Sequence, residues 1–415
     1  MAEIARGWLL IRGGRLVDEA ATRGLAADIL VQDGVIAAIG TGLEAPPDAT
    51  VVEAQNCLMH PGLANAHTHG MGGLSKGFAD RMTLELLLAA GPWMQGGRQL
   101  SDRRLSALIC AAEMALKGCT AAYDLTAELP LPTVDGFDAA AGAYAQIGMR
   151  AVIAPMVADL TLYEAIPGLR DALPPALQQQ VDRLKMAPGQ ACLEAMAAIL
   201  KAWRWNSHDI RPAIAPTIPL HCTEDFFTGC ARLARDHGVR LHSHVGESRV
   251  QAVTAMRRYG RTLVAECERL GMLGPDFTVA HGVWLDDEDL SRLAHHGASV
   301  SHNPGSNLKL GNGTARLRAM LDQGVTVALG TDGPASADNQ NMFEAMRDAA
   351  RLSRQTPDPR AWVSSAEVFR AATQGGAAAL GFEKCGRLAP GFCADIVFLD
   401  LKNPNWVPHN DSMNQ

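Results

Sequence analysis

Two histidines at the end of an apolar run, His67-Thr68-His69, are the first residues of this chain whose types and spacing could do chemistry. In an extended strand residues i and i+2 face the same side, so both imidazoles can present a nitrogen to one ion. Similar groups close later apolar runs: His244 in His-Val-Gly-Glu247, His281 in Val-Ala-His, His302 in Val-Ser-His, and Asp332 in Leu-Gly-Thr-Asp. Among 13 histidines one HxH pair arises by accident, but accident does not place its companions at the ends of separate runs. Two imidazoles from one strand, a third from elsewhere and an aspartate supply the nitrogen and oxygen ligands of one divalent first-row metal, with a position left for water. His242 and His244 form a second i, i+2 pair. We take His244 as the ligand because Glu247 follows it closely, and His242 as a supporting neighbour.

Glu247 beside such a Lewis acid can take a proton from water and hand it to a leaving amine. Its plainer reading is an acid at a helix N-terminus, and both can hold. Asp332 ends an apolar run and is followed by Gly-Pro-Ala-Ser, which exposes the carboxylate at a rim; a surface-turn aspartate is the alternative. The segment His302-Asn303-Pro-Gly-Ser306-Asn307 is dense in small polar groups that can hydrogen-bond a planar heterocycle, so His302, Asn303, Ser306 and Asn307 are candidate substrate contacts. Trp93, with Phe78 and Met71, is a candidate pocket residue from an early loop, where apolar side chains more often simply pack. The chain has no GxxxxGK[ST] phosphate loop, no HExxH helix and no HxE with PCxxC.

These residues must be held by elements, and the sequence predicts them. Eight strand candidates span 58–67, 119–124, 150–157, 211–217, 239–245, 277–281, 298–302 and 325–331, with helical stretches at 101–117, 224–237, 250–270, 286–295 and 339–353. Alternating strands and helices predict an α/β fold, a TIM-type (β/α)8 barrel, whose active site lies at the C-terminal ends of the strands. Residues 8–40 carry short apolar runs broken by Gly-Gly and Asp-Gly, and Gly386–Asp400 has the same character. The domain reading is a small split β-sandwich from both termini, residues 1–57 and 384–415, flanking a barrel at 58–383.

The 415 residues include 47% hydrophobic and 20% charged, the balance of an ordinary globular chain. Subtracting 44 acids from 37 bases gives a net charge of −7 without basic clusters, which argues against nucleic acid and anionic membrane as partners. No apolar run is long enough to cross a bilayer, and the opening MAEIARGWLL lacks the basic start and cleavage site of a secretion signal, so a cytoplasmic location is expected. Nine scattered cysteines without a CxxC pair predict reduced thiols, no disulfides and no cysteine-held zinc.

Taken in order, Pro61-Gly-Leu-Ala-Asn-Ala-His-Thr-His69, His244-Val-Gly-Glu247, Ala280-His281, His302-Asn-Pro-Gly-Ser-Asn-Leu-Lys-Leu310 and Leu329-Gly-Thr-Asp-Gly333 resemble the amidohydrolase superfamily. The likeness is to its branch of mononuclear deaminases and chlorohydrolases acting on nucleobases, nucleosides and s-triazines, and it covers nearly the whole chain. It implies one zinc or iron ion held by His67, His69, His244 and Asp332, with hydroxide attacking the carbon that bears the leaving group. In that scheme Glu247 shuttles protons, Asp332 helps deprotonate water, and His281 polarises the substrate or steadies the tetrahedral intermediate. Binuclear members use a modified lysine at the end of the fourth strand; here that end reads Ala-Pro-Thr-Ile-Pro-Leu-His221, which implies one metal. Members of this branch resemble dimers or larger assemblies, so a homo-oligomer is expected.

The chain departs from the branch in three places. Pro92-Trp-Met-Gln-Gly96 stands where adenosine-type members carry a ribose-binding glutamate, which disfavours a nucleoside. The motif usually read His-Cys-Pro is His302-Asn303-Pro304. Relatives continue past the Ala-Asp-Ile-Val-Phe segment with more strands, so the small domain is expected to be incomplete or differently closed. The expected reaction is metal-dependent deamination of a nitrogen heterocycle of the free nucleobase, pterin or triazine type. The same machinery acting on chloride, a substituted amine, an amide or a urea is the first alternative, and a catalytically silent scaffold the second.

Overall fold

Short apolar runs joined by tight turns can only ladder antiparallel, whereas runs separated by a helix-length crossover pair in parallel. Both regimes occur in the computed structural model, which describes residues 7–17, 24–95 and 97–414, without the side chains of 92–95. The first five strands are β1 (Trp8–Leu16), β2 (Leu25–Gln32), β3 (Val35–Gly40), β4 (Thr50–Glu53) and β5 (Cys57–Pro61). β1–β2 and β2–β3 are antiparallel, the second joined through Asp33 and Gly34, both at positive φ as an Asp-Gly hairpin turn requires. β1 is bulged between Ile11 and Gly14, and its two halves pair in parallel with different strands, β4 and β5.

Then come β6 (Leu63–Thr68), β7 (Cys119–Thr126), β8 (Arg150–Val157), β9 (Ile210–Pro216), β10 (Arg240–Val245), β11 (Phe277–His281), β12 (Ser299–His302) and β13 (Thr326–Leu329). These eight strands form one parallel sheet in sequence order with helices between them, the TIM-type barrel expected. β6 and β13 come together without a strand ladder, and the seam is closed by single bonds: Asp332 N–H donates to His67 O at 2.9 Å and Thr331 N–H to Asn65 Oδ1 at 3.0 Å. Small inward residues such as Ala64, Ala66, Ala121, Ala154, Ala213, Ala215 and Ala328 fill the barrel around fully buried Tyr123 and Leu125. A separate apolar layer rich in Ile, Leu, Phe and Met packs the helices on the outside.

Three expectations are corrected. The run at 58–67 is not one strand: it breaks at Gly62, where a Cβ would lie 2.0 Å from Thr120 Oγ1, so Cys57–Pro61 joins the terminal sheet and only Leu63–Thr68 enters the barrel. β14 (Ile396–Asp400) pairs antiparallel with β5, and all six terminal strands form one sheet where two facing sheets were expected. The helix at 250–270 is two, Arg249–Tyr259 and Leu263–Arg269, because Gly260 takes a left-handed φ of 67° and Thr262 caps a new start through Ala265 N–H. No helix among the described residues is long and apolar enough to cross a membrane.

Candidate metal and catalytic centre

The C-terminal ends of four barrel strands or the turns beyond them carry His67, His69, His244, Glu247, His281 and Asp332, and the structure brings all six together. His67, His69 and His244 form one group of potential ligand atoms within 4.8 Å of one another, and His67, His281 and Asp332 form a second. Asp332 Oδ1 lies 3.2 Å from His69 Nε2 and 3.6 Å from His67 Nε2. His69 Nδ1 is 2.7 Å from Leu125 O, and His244 Nδ1 is 2.7 Å from Thr217 O. A carbonyl can only accept, so both Nδ1 atoms carry the proton and both Nε2 atoms carry lone pairs. Those two lone pairs face each other across 3.3 Å.

Neither nitrogen of His67 has a hydrogen-bond partner, although the ring is fully buried. A buried imidazole without a partner and lone pairs turned on one another are uncomfortable in isolation and natural around a cation, so the donor set fits a divalent metal. Burial drives protons off the imidazoles: the His67 value falls to about 3, and those of His242 and His244 fall well below the ordinary value of 6.5. Burial alone would raise Asp332, but the facing histidines outweigh it and hold the carboxylate ionised. Neutral imidazoles, as at His67 and His244, and an ionised carboxylate, as at Asp332, are the forms in which these side chains ligate metals.

The backbone is bent to present them. His281 and Asp332 adopt positive φ, 72° and 64°, a strained region for residues with side chains. Asp332 is fixed from several sides: Oδ2 accepts from Ser306 Oγ at 2.5 Å, Oδ1 from Gly333 N–H at 2.6 Å, and its carbonyl from Gln340 Nε2 at 2.7 Å. Gly330 lets this turn approach closely, since a Cβ there would meet Asn303 Oδ1 at 2.4 Å and His67 Cβ at 2.9 Å.

Glu247 is buried, and burial first, then the charges of Asp332 and Glu85, pushes its carboxyl well above the ordinary 4.5. Oε1 accepts from Asn312 Nδ2 at 3.2 Å and lies 3.6 Å from His281 Nε2, while Oε2 is buried without a partner. The carboxyl is therefore held by one oxygen and free at the other, with a proton to give. His281 is oriented by Asn307, whose Oδ1 lies 2.8 Å from Nδ1, leaving Nε2 toward both carboxylates.

The segment expected to wall the substrate is placed differently from that reading. His302, Asn303, Ser306 and Asn307 are all buried; Ser306 and Asn307 bond to Asp332 and His281, and Asn303 Oδ1 accepts from Ser301 Oγ. Phe78 is 47% exposed, Met71 Sδ accepts from Ala127 N–H, and the side chain of Trp93 lies outside the described residues. His242 sits beneath the cluster, 5.0 Å from His67 and 4.5 Å from Tyr123 between ring centroids. Sequence reasoning missed the orienting amides: Asn312 and Gln251 on Glu247, and Asn65 and Gln340 on the Asp332 turn. The Gly-Asn-Gly at 311–313 was the one available signal, a polar side chain on a chain free to bend.

Comparison with known proteins agrees with this geometry. The amidohydrolase family matches residues 58–415. A 5'-deoxyadenosine deaminase of Methanosarcina mazei is 32% identical over 383 residues, 92% of this chain and 81% of that protein. A 5-methylthioadenosine/S-adenosylhomocysteine deaminase of Moorella thermoacetica is 34% identical over 366 residues, 87% of this chain and 78% of the relative. Among solved structures, a zinc-bound adenosine deaminase from Xanthomonas campestris superposes with a TM-score of 0.85 at 27% identity, covering 98% of this chain and 88% of that one. A zinc complex of an atrazine chlorohydrolase from Arthrobacter aurescens gives 0.87 at 28% identity, covering 98% and 90%. By sequence, fold and the residues at its strand ends, the chain belongs to the amidohydrolase family of hydrolases.

Proposed function

We propose that this protein is a deaminase that hydrolyses the exocyclic amine from a nitrogen heterocycle, with a 6-aminopurine ring as first choice and one zinc ion held by His67, His69, His244 and Asp332. The observation that carries the reading is the buried Glu247, its carboxyl pushed well above the usual range by burial and the charges of Asp332 and Glu85, beside that ligand set. Zinc at these residues supplies a Lewis acid that makes water nucleophilic near neutral pH. Asp332, ionised and fixed by Ser306 and Gly333, is the base that accepts the proton of the attacking water. Glu247 Oε2, the oxygen without a partner, delivers a proton to the ring nitrogen or departing amine while Asn312 holds Oε1. His281, whose Nδ1–H donates to Asn307 Oδ1, turns a bare Nε2 toward the attacked carbon, where it can take up a proton and steady the new oxygen.

Chloride leaves without a proton and an amine does not, so a carboxyl kept protonated favours amine loss over the dehalogenation for which the atrazine relative is named. The curated relatives act on adenine nucleosides by their names, which supports the purine ring and brings nucleosides back among the substrates, against the sequence-based expectation at 92–96. The test is ammonia release by metal-analysed protein from adenine, 5'-deoxyadenosine, methylthioadenosine, a pterin and a triazine, with Glu247→Gln as control. Ammonia from a purine, lost in the variant, is the expected result. Chloride from a chlorotriazine with no ammonia from any substrate would overturn the deaminase reading.

A further inference from the structure

We propose that Cys385 and Cys393 form a modification site, a dithiol that a low-molecular-weight disulfide of the glutathione class converts to an intramolecular disulfide. Six of the nine cysteines are buried, and only Cys57, Cys385 and Cys393 are partly open to solvent. Burial holds the enclosed thiols protonated, with Cys119 pushed up to about 12 and Cys192 to about 11, so they are poor nucleophiles.

The chain between Cys385 and Cys393 folds back on itself. Phe392 N–H donates to Ala389 O at 3.0 Å to close a turn, and Cys393 N–H donates to Lys384 O at 2.8 Å. That bond sets the backbone of Cys393 beside Cys385 and brings the two thiols to one side of the turn. The surroundings are cationic: the Arg150 guanidinium acts on both sulfurs, and Lys384 and Arg387 sit 5.4 and 5.6 Å from the Phe392 ring centroid. Asp395 and Asp209 are present as Arg150's ion-pair partners. The neighbouring Cys385 thiol first, with Arg150 after it, lowers the Cys393 thiol to about 7 against burial, Asp395 and Asp209, while Cys385 is raised. A half-buried thiol beside Arg150, with a second thiol next to it, is an attacking and resolving pair.

The step balances as two exchanges. The Cys393 thiolate attacks one sulfur of glutathione disulfide, its S–S bond breaks, and one glutathione thiolate leaves. Cys385 loses its proton to solvent and attacks the Cys393 sulfur, and the second glutathione leaves. The protein's two thiols are oxidised and one glutathione disulfide is reduced to two thiols. The new bond would tie the turn after the last barrel helix to the terminal sheet, where Cys393 bridges Val35 and Ala394 N–H donates to Gly34 O at 2.8 Å. Arg150 opens β8, so the site lies at the barrel end opposite the metal cluster.

The experiment incubates full-length, metal-loaded protein with glutathione disulfide, alkylates under denaturing conditions and maps peptides by mass. The expected result is loss of two hydrogens in the peptide joining Cys385 and Cys393, the remaining thiols alkylated, and a persistent glutathionyl adduct on Cys393 in Cys385→Ser. A lasting adduct on Cys393 in the unsubstituted protein, first reaction at Cys57, or no oxidation at all would overturn the proposal. These outcomes are read from the unsubstituted protein, so they stand even where the variant fails to fold.

Discussion

His69 and His244 turn their Nε2 atoms toward each other across 3.3 Å while each gives its Nδ1 proton to a backbone carbonyl. Carbonyls as partners fix the tautomer, and the tautomer aims two lone pairs at one point. The partners are Leu125 at the end of β7 and Thr217 just past β9, so neighbouring strands decide how the ligands face.

Removing one ligand should remove the metal. His67→Ala is expected to lose bound metal and turnover together, because the other groups cannot complete the set. Elemental analysis alongside kcat checks this, and a fully metallated, active variant would refute the assignment.

Glu247→Gln should separate the two properties. The amide keeps the shape but has no proton to shuttle, so metal content stays near one per chain while kcat falls by about 10²–10⁴-fold.

Asn312→Ala tests the orienting amide. It removes the N–H that holds Glu247 Oε1, and the loss of one hydrogen bond of ~1–1.5 kcal/mol predicts a kcat about tenfold lower with metal content unchanged. Equal kcat in the variant would show that Glu247 needs no such restraint.

The pH behaviour has a definite sign. A carboxyl raised above its ordinary 4.5 in the folded protein binds its proton more tightly folded than unfolded. Its stability cost is absent below the unfolded value and grows as pH climbs toward the folded one. Metal-stripped Glu247→Gln should therefore melt above the unsubstituted protein at neutral pH, with the gap closing in acid. Turnover of the unsubstituted enzyme should fall on the alkaline side as Glu247 loses its proton. Melting curves across pH, in which the gap instead widens in acid, would contradict the protonated reading.

Gly62→Ala should destabilise the junction between terminal sheet and barrel by about 1–3 kcal/mol, since its Cβ would overlap Thr120. Chemical denaturation measures it.

The His/Asp cluster was legible in the sequence because strand period and barrel topology place chain-distant residues at one rim by rule: His67 and His69 from one strand, His244 and Asp332 from others. Helix ends with strong caps, such as Glu224–His237 between Thr223 and Gly238, were equally readable. What failed depended on space rather than pattern. Pro61-Gly62 between 58–60 and 63–67 reads as a mere kink in one strand until Thr120 stands against Gly62. Ser306 and Asn307 look like ligand contacts until Asp332 and His281 are seen to occupy them. The meeting of Cys385 and Cys393 likewise needs the backbone turn that joins them.

The unladdered seam between β6 and β13 has a consequence for biosynthesis. Asn65 and Thr331 join across 266 positions, and His67 and Asp332 meet on the same line. A nascent chain that has emitted His67 and His69 must wait for nearly the whole barrel to leave the ribosome before Asp332 arrives. Until then the cluster lacks its carboxylate, so the proposed metal site would be complete only once the ring closes, and a chain stalled before residue 332 would hold any ion with an unfinished donor set.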